Sequence, residues 1–221
     1  RFIEGWTFQQ MRAAMAMNPD LLQDSAELTE TQLLAAIDAV EPKAEGLFFP
    51  NTYQFPVGSS DLVVLRQSYR QMKLELEQAW ANRQPDLPIE KPYDALILAS
   101  IVEKETGIES DRALVASVFI NRLRINMMLQ SDPTTIYGLG DRFDGDLRRR
   151  DLREDTPYNT YTRKGLPPTP IAASGRSSID AVLNPAKTES FYFVARGDGS
   201  SQFSKTLAEH NRAVRKYQLN R

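Results

Sequence analysis

A mainly helical α+β chain is the fold class this sequence predicts. Three observations carry it. Apolar residues recur at helical spacing through the longest segments, capping boxes open several of those segments, and only a few short β-prone runs lie between them. The expected order is a small β-α-α-β unit over residues 1–57, a long connecting helix with its linker over 58–90, and a mainly helical domain with a small β-hairpin over 91–221.

The first unit opens with a short apolar strand from Arg1 to Glu4. Thr7-Phe8-Gln9-Gln10 is a capping box for a first helix reaching Asn18, which Pro19-Asp20 ends. Thr29-Glu30-Thr31-Gln32 opens a second helix through Val40, and Glu45 to Pro50 reads as a turn and a short strand. Gly58-Ser59-Ser60-Asp61 caps the long helix, which ends near Asn82 before Pro85 and Pro88. Helices follow from Tyr93 to Thr106 and from Ser110 to Ile125. Leu114, Val115, Val118, Phe119 and Leu123 are expected on the buried face of the latter. Leu129 to Ile171 is rich in Gly, Pro and Tyr, and a loop region that long tends to be functional. A short helix near Ser177–Leu183 comes next. The hairpin comprises Phe191–Val194 and Gln202–Ser204, and Thr206 caps a last helix to Leu219.

The 221 residues are 41% hydrophobic and 25% charged, ordinary proportions for a globular chain with a real core. A net charge of −2 gives no reason to expect a nucleic-acid partner. The Arg148-Arg149-Arg150 run is balanced by Asp146, Asp151, Glu154 and Asp155. The absence of cysteine excludes a disulfide framework and a thiol nucleophile. The single histidine, His210, rules out a His-rich metal site, and no metal is expected. His210 itself is expected as a partly buried hydrogen-bonding residue.

The segment Ile101-Val102-Glu103-Lys104-Glu105-Thr106 carries the most chemistry. At 100° per residue Leu98, Ile101, Val102 and Glu105 share one stripe, while Glu103 points elsewhere. A carboxyl held against apolar side chains resists ionising, as a general acid near neutral pH requires. By position alone, Glu105 fits either such an acid or a helix-end glutamate that reaches water. Glu103 is expected in a structural or surface role.

Several further motifs occur in order. Ala99 to Thr106, Val118-Phe119-Ile120-Asn121-Arg122-Leu123, Leu129-Gln130-Ser131-Asp132-Pro133-Thr134 and Ile136-Tyr137-Gly138 resemble the endolytic murein transglycosylases, the MltG/YceG-like family. Tyr158-Asn159-Thr160-Tyr161, Gly165-Leu166-Pro167-Pro168 and His210-Asn211 continue the resemblance. Glu4-Gly5-Trp6-Thr7 and Glu45 to Tyr53 look like the edges of that family's LysM-like module, here N-terminally incomplete. The resemblance implies cleavage of the MurNAc-β-1,4-GlcNAc bond within peptidoglycan glycan strands, leaving 1,6-anhydroMurNAc ends. It implies Glu105 as general acid and then base, with no cofactor. It places such proteins on the periplasmic face of the bacterial inner membrane, through an N-terminal anchor upstream of this chain, beside peptidoglycan synthases.

Sugars require planar polar groups for acetamides and flat faces for pyranose rings. Gln130, Ser131, Asp132, Tyr137, Asn159, Thr160 and Tyr161 offer both, and form the expected substrate-binding set. Against it, Tyr137 and Tyr161 fit loop packing equally well, Asn159 fits a turn, and Asp132 before Pro133 fits a helix cap. Arg122 suits a helix C-terminus, or a carboxylate in the cleft. Two rival functions remain open: a muramidase that uses water on the same scaffold, and a non-catalytic peptidoglycan-binding module.

Overall fold

The protein is described over residues 1–219 by a computed structural model. Its N-terminal part holds α1 (Phe8–Ala16), β1 (Leu21–Leu22), α2 (Glu30–Ala36) and β2 (Ser59–Ser60), with β1 and β2 paired in parallel. The long α3 (Asp61–Ala81) leads to α4 (Pro92–Glu105), α5 (Glu109–Arg124), α6 (Asp132–Leu139) and α7 (Arg176–Leu183). The antiparallel pair β3 (Tyr192–Ala195) and β4 (Ser201–Ser204) precedes α8 (Leu207–Val214). Among the described residues no helix is long and apolar enough to cross a membrane.

Local chemistry explains most boundaries. Thr7 and Thr29 accept from Gln10 and Gln32 main-chain N–H groups, whose side chains accept in return from the two caps. Ser60 caps α3 by accepting from the Leu62 N–H at 3.2 Å. Pro92 stands in the first turn of α4, where its missing N–H costs nothing and it holds Lys91 extended. Asp94 then accepts the Lys91 N–H at 3.1 Å.

Two expected strands are absent. Residues 1–4 and 47–49 bury Phe2, Leu47, Phe48 and Phe49 without a ladder, and Phe2 N–H donates to the Asn51 carbonyl at 2.9 Å. The N-terminal order is therefore α-β-α-β, its parallel pair made by residues too short in run to show a pattern. The second helix also stops early, since Asp38 takes φ +62° just beyond it.

α4 is the centre of the molecule. Ala95 through Val102 are all buried, and α7 packs on both α4 and α5. A helix apolar all round has to be covered on every side. Accordingly one continuous apolar cluster runs from Phe2 and Phe48 through Leu65 and Met72 to Leu98, Phe119 and Leu183. Gly46 joins the N-terminal part to the rest. It has φ +76°, and a Cβ there would lie 2.3 Å from Pro170 Cβ.

Candidate active site

Glu105 ends α4, and the chain turns there into extended Thr106. This brings its carboxyl out of the apolar core and opposite the start of α6. Ser131 Oγ donates to Glu105 Oε1 at 2.5 Å. Burial pushes the Glu105 carboxyl up from its ordinary 4.5 to about 7, with the charge of Asp132 adding to the rise. The Ser131 hydrogen bond and the Arg122 charge pull the other way. At neutral pH the group is poised between acid and carboxylate.

Glu103 is different in its partners rather than in its exposure. Its side chain is only 6% exposed. It accepts the Gly175 N–H at 3.0 Å and faces Arg112 Nη2 at 3.7 Å. A structural role fits; a surface one does not, because α4 is covered on that side too.

The turn that delivers Ser131 is tightly held. Gln130 adopts φ +50°, and its N–H donates to the Thr160 carbonyl at 3.0 Å. The Ser131 N–H donates to Thr160 Oγ1 at 2.9 Å, and Thr134 Oγ1 lies 2.8 Å from the same oxygen. Asn159 is fully buried and spends its carboxamide inside the protein. Its Nδ2 donates to the carbonyls of Asp151, Leu152 and Glu154 at 3.2, 3.2 and 2.7 Å. Its Oδ1 accepts from Thr135 Oγ1 and the Tyr161 N–H. Tyr161 Oη donates to Asp132 Oδ1 at 2.6 Å.

Of the expected set, then, Ser131, Asp132, Thr160 and Tyr161 gather around Glu105, with Gln130 exposed beside them. Asn159 and Thr160 are buried and brace the turn from behind. Tyr137 lies elsewhere. Its hydroxyl donates to Glu45 Oε2 at 3.2 Å, and its ring meets Tyr158 edge-on at 4.8 Å.

Sequence reading missed Glu45. It is buried, accepts the Phe8 N–H at 2.9 Å at the start of α1, and is pushed up to about 7 by that burial. A lone charge inside the run Glu45-Gly46-Leu47-Phe48-Phe49 was the available signal; its partner 92 residues away was not. His210 is partly buried and stacks on Tyr192 at 5.2 Å, and its Nδ1 has no hydrogen-bond partner among the described residues. Among the described residues no three or more His, Cys, Asp or Glu side chains are grouped as a metal ion needs.

An α+β scaffold built around one buried helix, ending in a desolvated carboxyl beneath a braced turn, is the class of protein these features define. The profile of the YceG-like family matches residues 1–216, and the chain belongs to that family. It is 41% identical over 174 residues to the endolytic murein transglycosylase of Bacillus subtilis strain 168, covering 78% of this chain and 48% of that protein. It is 30% identical over 178 residues to the endolytic murein transglycosylase of Streptococcus pneumoniae serotype 2 strain D39, covering 78% of this chain and 32% of that protein. The chain thus spans about half of one relative's length and a third of the other's. A crystal structure of a yceG-like protein from Listeria monocytogenes superposes with a TM-score of 0.77 at 32% identity, covering 96% of this chain and 74% of that one.

Proposed function

We propose that this protein is a peptidoglycan lytic transglycosylase that cleaves within glycan strands and uses Glu105 as general acid and then base. The observation that carries the reading is the Glu105 carboxyl itself, held by burial near pH 7 and oriented by Ser131. Protonated Glu105 gives its proton to the glycosidic oxygen as the bond from muramic acid C1 breaks, so that GlcNAc leaves with a free 4-hydroxyl. The C6 hydroxyl of the same muramic acid attacks C1, and its proton passes to the Glu105 carboxylate. The acid is regenerated, an anhydro end remains, and no water is consumed. Because nucleophile and electrophile belong to one sugar, proximity replaces the second carboxylate of an ordinary glycosidase.

Asp132 and Tyr161, with Gln130 at the rim, form the glycan-facing edge, and Asp132 supports positive charge developing at C1. Ser131 orients the acid; Asn159 and Thr160 brace it. Tyr137 acts with Glu45 at the junction between the N-terminal part and α6. Residues 1–57 are a LysM-like unit, 58–90 a connecting helix and linker, and 91–221 the catalytic domain. The contacts of Glu45 with Tyr137 and of Gly46 against Pro170 support a bracing role for the first unit. The reaction belongs outside the cytoplasm, at the periplasmic face of the inner membrane beside peptidoglycan synthases, with anchoring supplied by an upstream segment.

The test compares wild type with Glu105→Gln on purified glycan strands. Wild type is expected to fragment the strands, and the variant to bind them without cleavage. Equal cleavage by both sinks Glu105 as the acid. Binding without cleavage by both, in the membrane-anchored form as well, identifies a binding module.

A further inference from the structure

Arg122 is a buried cation. It is 6% exposed, and among the described residues no carboxylate forms an ion pair with it. A guanidinium in that situation is costly unless its donors are used. Two of them are used on main chain. Nε donates to the Phe191 carbonyl at 2.7 Å, and Nη1 donates to the carbonyl of Leu129. The guanidinium lies over the Tyr192 ring, 5.4 Å from its centroid. The preceding residue repeats the pattern, with Asn121 Nδ2 donating to the Thr188 and Ser190 carbonyls at 3.0 Å each. The last turn of α5 therefore gathers the segment leading into β3 and the segment leading into α6.

The Leu129 carbonyl is the last one before the turn that serves Glu105. The next residue, Gln130, takes φ +50°, a conformation that a residue with a Cβ keeps only when its surroundings impose it. Thr160 imposes it from one side through the N–H groups of Gln130 and Ser131. Arg122 does so from the other.

We infer that Arg122 is a positioning residue for the acid proposed above. Its fork clamps the Leu129–Ser131 turn so that the Ser131 hydroxyl stays on Glu105. It also keeps one positive charge facing the carboxylate that remains when the proton has been given away. This rests on the transglycosylase reading for its consequence, but not for its geometry. The groups that face Glu105 are Ser131 just before α6, Asp132 at its start, Arg122 from α5 and Tyr161 from the long loop. Of these Asp132 raises the carboxyl and Arg122 lowers it. A lysine would keep the charge but could not bond two divergent carbonyls in a fixed plane.

The experiment uses Arg122→Gln, Arg122→Lys, Ser131→Ala and the combined variants. Strand cleavage is measured against pH. The Glu105 carboxyl is titrated by carbon-13 NMR, its resonance being the one missing from Glu105→Gln. Arg122→Gln is expected to lower kcat at least about ten-fold. It should also move both the loss of activity at high pH and the NMR midpoint to higher pH. Arg122→Lys restores most of the midpoint and little of the rate. Adding Ser131→Ala to either Arg122 variant costs less than the product of the single losses, because both act through one contact. A rate loss equal at every pH, with the midpoint unmoved and the losses multiplying, overturns the inference and leaves Arg122 as packing. Should Arg122→Gln not fold, the Arg122→Lys and Ser131→Ala cycle decides by the same criterion. If wild type cleaves nothing, the functional reading fails. The NMR midpoint then still separates a clamp that acts on Glu105 from an inert one.

Discussion

Glu103 and Glu105 stand two residues apart on one helix, and their different directions were legible in the sequence. Periodicity put Glu105 with Leu98, Ile101 and Val102, and the structure gives it Ser131 and a desolvated carboxyl. What periodicity could not show is that the side of α4 bearing Glu103 is covered too, so Glu103 turns to Gly175 and Arg112. At Glu105 the sign of the pH effect follows from the role proposed for it. The proton must be present for bond cleavage, so cleavage should fall as pH rises through about 7. No second carboxylate with a lower pKa is needed as base, so the acid side should stay flat until the fold or substrate binding fails. Initial rates on soluble strands from about pH 5 to about pH 9 check this. Ser131→Ala removes a bond that favours the carboxylate, so its high-pH loss should lie above that of wild type.

At the scale of elements, capping residues and prolines fixed most helix boundaries because those signals act within a turn or two of chain. The strands were harder. Residues 47–49 look like a strand by composition, yet their aromatic side chains are buried by helices and no ladder is needed. The region 129–171 was recognisable as irregular from its Gly and Pro content, although α6 lies inside it; its internal wiring was not, because Asn159 bonds to residues scattered from 135 to 161. That wiring makes a prediction. Asn159→Ala removes the donor to three carbonyls and the acceptor for the Thr135 hydroxyl and the Tyr161 N–H, and should cost at least about 2 kcal/mol. Thermal unfolding checks the cost, and residual cleavage by the folded fraction should be reduced as the Ser131 turn loosens. Gly46→Ala belongs to the same scale. It places a Cβ against Pro170 at a positive φ, and should lower both stability and rate by loosening the junction under α6.

Among the described residues two carboxyls, Glu45 and Glu105, are held near 7 by the folded state against an ordinary 4.5. Between those values the folded chain binds protons that the unfolded chain has released. Stability therefore falls as pH rises from about 4.5 to about 7 and stays lower above it, by about 3 kcal/mol for each group. The melting temperature should be higher near pH 5.5 than near pH 8. Glu45→Gln, which keeps an acceptor for the Phe8 N–H, should flatten part of that slope. Both carboxyls lie at seams: Glu45 between α1 and α6, Glu105 between α4 and α6. A continuous core binds these seams into one body, which is why Glu45, whose partner lies 92 residues away, could not be placed from local sequence as Glu105 was.

The measurement that bears most directly on the central claim is mass spectrometry of glycan strands digested in heavy-oxygen water. If Glu105 takes the C6 proton and no water enters, every new muramic end will be anhydro and unlabelled. Heavy oxygen in new reducing ends would contradict that account and make the protein a hydrolase.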